Sequence, residues 1–185
     1  MNCRLSVVNC INQLNLNFDK CLQPDILCQK ITIVVYQSYL ETPIGFLRIL
    51  SNGDGITEIK FMDTDGPEDP DAHTESARTQ LREYFEGNRA SFQLTLIPNG
   101  TEFEERVWNV LQELPFGITT NYGSIAKQLG DVNASQAVGS ANGKNPIAIV
   151  IPCHRVIGRD GNMTGYAGGI ERKEWLLKHE GALLL

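Results

Sequence analysis

The 185-residue chain is 42% hydrophobic and 21% charged, ordinary values for a globular protein with length for one domain or two small ones. No run of 18 apolar residues exists to span a membrane, and Asn9, Asn12, Gln13 and Asn15 interrupt any apolar core of a secretory signal, so a cytoplasmic protein is expected. The net charge of −6 speaks against nucleic acid on average, but residues 1–100 hold 8 Lys/Arg against 13 Asp/Glu while residues 123–173 hold 6 against 3.

Residues 1–30 read as an N-terminal extension of unspecified order. Four of the five cysteines fall there, at Cys3, Cys10, Cys21 and Cys28. Their spacing matches no familiar zinc knuckle, so unpaired thiols and no metal are expected. Ile31–Tyr36 is β-branched and predicts a strand, Gly45–Leu50 a second, and Ile56–Met62 a third after the Asn52-Gly53-Asp54-Gly55 turn. An acidic loop over 63–71 leads to a helix over Thr74–Phe85, with Ala77, Leu81, Tyr84 and Phe85 at helical spacing and Gly87 at its end. Phe92–Ile97 predicts one more strand before the Pro98-Asn99-Gly100 break. Residues 31–98 thus form a sheet-plus-helix domain.

The domain expected over 101–185 is mostly helical, which makes the whole chain α+β. Thr101 and Glu104 have capping-box spacing, and Phe103, Val107, Val110, Leu111 and Leu114 line one helical face. Tyr122–Leu129 and Ala134–Gly143 are two short helical patterns around Gly130-Asp131-Val132-Asn133. They fit either a helix-turn-helix that enters a DNA groove or a plain helical hairpin. Ile147–Ile151 predicts a short buried strand that Pro152 ends. Cys153 follows, with His154 beside it: a thiol next to a base suits nucleophilic chemistry, although a buried structural cysteine would look the same. A glycine-rich loop over 158–169 holds Tyr166, and Glu171–Glu180 predicts a last helix with Trp175, Leu176 and Leu177 inward, capped by Gly181. Met62 and Trp108 are assigned to packing.

From about Thr101 onward the chain resembles the O6-alkylguanine-DNA alkyltransferases, in their bacterial single-function form. The blocks that carry the resemblance are Asn145-Pro146, Pro152-Cys153-His154-Arg155-Val156, Gly165-Tyr166-Ala167-Gly168-Gly169, Glu174-Trp175-Leu176-Leu177 and His179-Glu180-Gly181; Thr42-Pro43-Ile44-Gly45 matches more weakly. The resemblance implies a ribonuclease H-like first domain and direct reversal of DNA damage. Cys153 would take the alkyl group from the 6-oxygen of guanine, or the 4-oxygen of thymine, by in-line displacement after base flipping, and stay alkylated. It implies that His154 takes the thiol proton through a water and that Glu180 orients the imidazole. Asn145 would shape the presenting turn, Tyr122 press on a phosphate, and Tyr166 lie near the flipped base, with Arg155 and Gly168 among the DNA and substrate contacts. No cofactor is implied, and the partner is double-stranded DNA carrying O6-alkylguanine, met by a monomer.

One position departs from the family. An arginine normally precedes Ala-Val-Gly in the second helix of the motif and fills the gap left by the flipped base; here Gln136 stands there. The other readings are an alkyltransferase-like damage-binding protein with weak or no transfer, a cysteine hydrolase, and a transcriptional regulator. Cys153 itself speaks against the first, whose members carry tryptophan in its place. The adjacency of Cys153 and His154 speaks against the second, and the lack of an effector domain against the third.

Overall fold

The computed structural model describes residues 34–163 and 165–183, so the extension over 1–30 and its four cysteines lie outside the described residues. Three antiparallel strands in the order β1-β2-β3 open the described chain: β1 Tyr36–Thr42, β2 Gly45–Ser51 and β3 Ile56–Met62. Of the expected first strand over 31–36, residues 31–33 lie outside the described residues, and the observed strand begins at Tyr36. Val34 and Val35 lie outside it, half exposed, and the paired segment is the more polar Tyr36–Thr42, in register Thr42 to Gly45 with β2. Its inward positions are Ser38 and Leu40, so pairing rather than hydropathy selects it. Leu47 and Ile49 of β2 and Ile56 and Ile59 of β3 are fully buried beneath α1, Ala72–Phe85. That helix starts two residues earlier than expected because Asp71 accepts from the Thr74 amide while Thr74 reaches back, closing a capping box.

The expected strand over Phe92–Ile97 reduces to one parallel bridge between Ile56 and Leu96. A side chain replaces the ladder: Gln80 of α1 accepts from the Gln93 amide (2.7 Å) and donates to its carbonyl (3.0 Å).

Thr101 and Glu104 cap α2, Glu102–Gln112, as its sequence pattern requires. Val107, Trp108 and Leu111 are buried, and the Trp108 indole donates to the Ala141 carbonyl at 2.9 Å. The chain continues through β4, Thr120–Asn121, into the short helices α3, Tyr122–Gln128, and α4, Ser135–Gly143, which pack on each other and, through α4, on α2. After Cys153–Arg155, a 3₁₀ turn, β5 (Val156–Ile157) pairs in parallel with β4, tying the cysteine segment to the entrance of α3. The last helix, α5, spans Ile170–His179. Leu176 and Leu177 are inward as expected, and Lys173 is unexpectedly buried with them, while Trp175 is only partly covered and stacks on His179. Among the described residues no helix is long and apolar enough to cross a membrane.

Candidate active site

Residues 147–151 do not form the expected strand. Ile147, Ile149 and Ile151 point inward, as strand alternation would have them, but only Ile147 bridges to β3, at Ile59. Beyond it the chain folds into two consecutive tight turns, Val150 donating to the Ala148 carbonyl and Cys153 to that of Ile151. Ile149 holds φ +72°, left-handed backbone that a β-branched residue adopts only under constraint. Asn145 supplies that constraint. Its Oδ1 accepts from the Ile147 amide (3.0 Å), and its Nδ2 donates to the Ile151 carbonyl (2.7 Å) and to Cys153 Sγ (3.1 Å). One amide thus shapes the turn and touches the thiol it presents.

Cys153 and His154 occupy a 3₁₀ turn, not an extended chain, so their side chains diverge by about a third of a revolution. No direct hydrogen bond joins them among the described residues. His154 is fully buried, and its Nε2 lies 2.8 Å from Glu180 Oε1. Glu180, the C-cap of α5, accepts in addition from Tyr84 Oη (2.8 Å), Arg155 Nε (2.8 Å), Arg155 Nη2 (3.0 Å) and the Gly117 amide (3.3 Å). Burial opposes ionising Glu180, but the bonds from His154 and Arg155 outweigh it and hold the carboxyl well below the usual carboxylate range. An ionised Glu180 can only accept, which assigns the proton of the pair to Nε2 and leaves Nδ1 as the basic atom. Burial pushes the His154 pKa down against the pull of Glu180, so the imidazole is neutral at neutral pH. His154 Nδ1 has no protein hydrogen-bond partner.

Burial pushes the Cys153 thiol up, while the Asn145 amide and the charge of Lys173 pull it back. Lys173 Nζ donates to the Val156 carbonyl at 2.6 Å from a fully buried side chain. The Tyr166 hydroxyl is buried with no protein partner and lies within electrostatic range of Cys153. Gly168 lets that ring in: a Cβ there would come within 2.7 Å of Tyr166 Cε1 and 3.0 Å of Phe61 Cδ2. Arg172 fixes the loop from below, donating to the carbonyls of Gly168 (3.0 Å) and Ile44 (2.8 Å).

Cys153, His154, Glu180, Asn145, Tyr166 and Gly168 therefore gather in one region. Arg155 departs from its expected place among DNA contacts: its guanidinium is nearly buried, committed to Glu180 and the Leu114 carbonyl, and packed on Phe116. Tyr122 opens α3 with its ring against Gly139 of α4, and Gln136 is exposed on α4, which carries no charged side chain. The exposed Arg159 lies beside them, its Nη2 3.1 Å from where a Gly123 Cβ would be. Sequence reasoning missed Tyr84, whose helical spacing marks packing alone, and Lys173, which counted only toward the basic charge of residues 123–173. Among the described residues no cluster of three His, Cys, Asp or Glu is placed to hold a metal ion.

Residues 102–182 match the family model "6-O-methylguanine DNA methyltransferase, DNA binding domain", and residues 35–98 match its "ribonuclease-like domain". A methylated-DNA–protein-cysteine methyltransferase of Methanosarcina acetivorans is 46% identical over 155 residues, covering 80% of this chain and 99% of the relative. One from Shigella flexneri is 45% identical over 157 residues, 84% of this chain and 86% of its own. The crystal structure of Mycobacterium tuberculosis OGT in complex with DNA superposes with a TM-score of 0.72 at 43% identity, covering 78% of this chain and 92% of that one.

Proposed function

This chain belongs to the 6-O-methylguanine DNA methyltransferase family, and on that premise we propose how its own residues carry out alkyl transfer. It is a methylated-DNA–protein-cysteine methyltransferase of direct-reversal DNA repair, and DNA is its partner. The substrate is O6-alkylguanine in a duplex, flipped out of the stack at a cost of a few kcal/mol so that its alkyl carbon reaches Cys153. Cys153 rests as a thiol. Its proton passes through a bridging water to His154 Nδ1, and the resulting imidazolium is stabilised by the ionised Glu180. The thiolate attacks the alkyl carbon in line, an S–C bond forms as the C–O bond breaks, and the electron pair leaves on the guanine oxygen. The thioether has no route back, so one protein repairs one base, acting as a monomer and without a cofactor.

The observation that carries this reading is the buried thiol held by Asn145 next to a histidine whose Nδ1 has no protein partner and is basic and whose Nε2 is locked on Glu180. Tyr122 and the exposed face of α4 offer the surface for the phosphate backbone, and Tyr166 the surface for the flipped base. The test is intact mass after incubation with an oligonucleotide duplex containing O6-methylguanine. The protein should gain one methylene, located on the Cys153 peptide, and Cys153→Ala should gain nothing while still binding the duplex. Alkylation on another cysteine, or transfer by Cys153→Ala, rejects the assignment.

A further inference from the structure

Tyr84 sits on α1, in the half of the chain that holds neither the nucleophile nor the helix-turn-helix. Its hydroxyl nevertheless donates to Glu180 Oε1 at 2.8 Å, the same oxygen that takes the His154 Nε2 proton at 2.8 Å. We infer that Tyr84 is a positioning residue of the relay, setting how strongly Glu180 holds the His154 proton and so the basicity of His154 Nδ1. The inference rests on the alkyl-transfer reading of Cys153.

Two features separate this hydroxyl from an ordinary core tyrosine. The first is immobility: Tyr84 is fully buried, its ring is boxed by Phe85, Phe92, Phe116 and His179, and its carbonyl is bonded by His179 Nε2 at 2.7 Å. The O–H therefore reaches Oε1 from one direction. The second is protonation: burial and the neighbouring Glu180 charge push the phenol well above the ordinary tyrosine range, so it is a permanent donor.

A carboxylate oxygen shared among donors is a weaker acceptor for each of them. Oε1 takes Tyr84, His154 and Arg155 Nη2, and Oε2 takes Arg155 Nε and the Gly117 amide. The charged groups that reach His154 are Glu180, Arg155 and Lys173. Those that reach Glu180 are His154 and Arg155, and Tyr84 feels Glu180, Arg155 and Tyr166. On Oε1, Tyr84 is the donor outside the proton path that brings no charge, so it tempers Glu180 without adding repulsion to the imidazolium. Through it, α1 completes a relay whose other members all lie beyond residue 116.

Tyr84→Phe keeps the ring and removes the O–H. With one donor fewer on Oε1, His154 becomes more basic. The acid limb of the pH–rate profile for alkyl transfer from free O6-benzylguanine should move up by on the order of half a unit. Replacing Tyr84 by 3-fluorotyrosine, a more acidic phenol and stronger donor, should move the limb down. If Tyr84→Phe fails to fold, the fluorinated protein carries the test alone. Identical limbs in the wild type and either folded variant overturn the inference while leaving alkyl transfer intact. A wild type that transfers no alkyl group at any pH removes the reading beneath it.

Discussion

The proposed relay has a closed end and an open end, and they are built by opposite rules. At Glu180 every nearby donor is spent: the carboxylate takes five hydrogen bonds, and Arg155, its counter-charge, gives its remaining bond to the Leu114 carbonyl and its face to Phe116. Around Cys153 the opposite holds. The buried side-chain atoms without a protein hydrogen-bond partner, among the described residues, are Asn142 Oδ1, His154 Nδ1 and Tyr166 Oη. All three belong to the surroundings of the thiol, for Asn142 Nδ2 donates to the Cys153 carbonyl and Tyr166 feels the Cys153 charge. An unsatisfied buried polar group costs about 1–3 kcal/mol, and three together mark a place where water or substrate rather than protein completes the bonding. The closed end gives stability and a defined proton acceptor; the open end gives reactivity.

Breaking the closed end should have the largest effect. Arg155→Leu leaves an ionised, buried Glu180 without its counter-charge and should cost about 3–5 kcal/mol of stability, measured in urea unfolding. Because Arg155 faces inward, the salt dependence of duplex binding should not change; a shallower slope would return Arg155 to the DNA surface. Glu180→Gln removes the stabiliser of the imidazolium. Transfer should slow by about one to two decades, and Cys153 should need a higher pH to react with a small alkylating probe. The same substitution alters acid stability in a defined direction. Glu180 is depressed in the folded state, so its stabilisation is complete above the unfolded carboxyl pKa of about 4.3 and is lost as pH falls below it. Unfolding midpoints against pH should be flatter below about 4.3 in Glu180→Gln than in the wild type.

Much of this was legible in the sequence because the signals were local. The Thr101–Glu104 capping box, β3 and the short helices flanking Gly130 follow from spacing and capping chemistry, and of the motif residues His154 and Glu180 meet at 2.8 Å. What misled were segments decided by side-chain hydrogen bonds to the backbone, which hydropathy patterns do not register. Ile147–Ile151 has strand alternation, yet the Asn145 side chain bends it into turns, and Phe92–Ile97 loses its ladder to Gln80. Tyr84 gave no signal, since a phenol that meets a carboxylate 96 residues away has the same local spacing as one that only packs.

Changes at the open end should have smaller effects. Gln136→Arg adds a charge and a five-donor fork to the uncharged face of α4 and should speed repair of duplex substrate about tenfold. Reaction with free O6-benzylguanine, which needs no flipping, should stay the same. An unchanged duplex rate would mean that another residue fills the gap left by the flipped base. Tyr166→Phe removes a hydroxyl with no protein partner, so stability should hold or rise by up to ~1 kcal/mol while duplex repair slows. A loss of stability would show that this hydroxyl is already satisfied.

In the proposed mechanism Cys153 rests protonated, and His154 takes its proton only in the reaction. Thiolate absorbance in the ultraviolet, recorded across pH as wild type minus Cys153→Ala, reads that state directly. No Cys153 thiolate should appear at pH 7, and the signal should rise only above the ordinary thiol pKa of about 8.5, because burial raises the thiol. A full thiolate signal at neutral pH would mean a standing Cys153–His154 ion pair, and the division into a closed and an open end would fall with it.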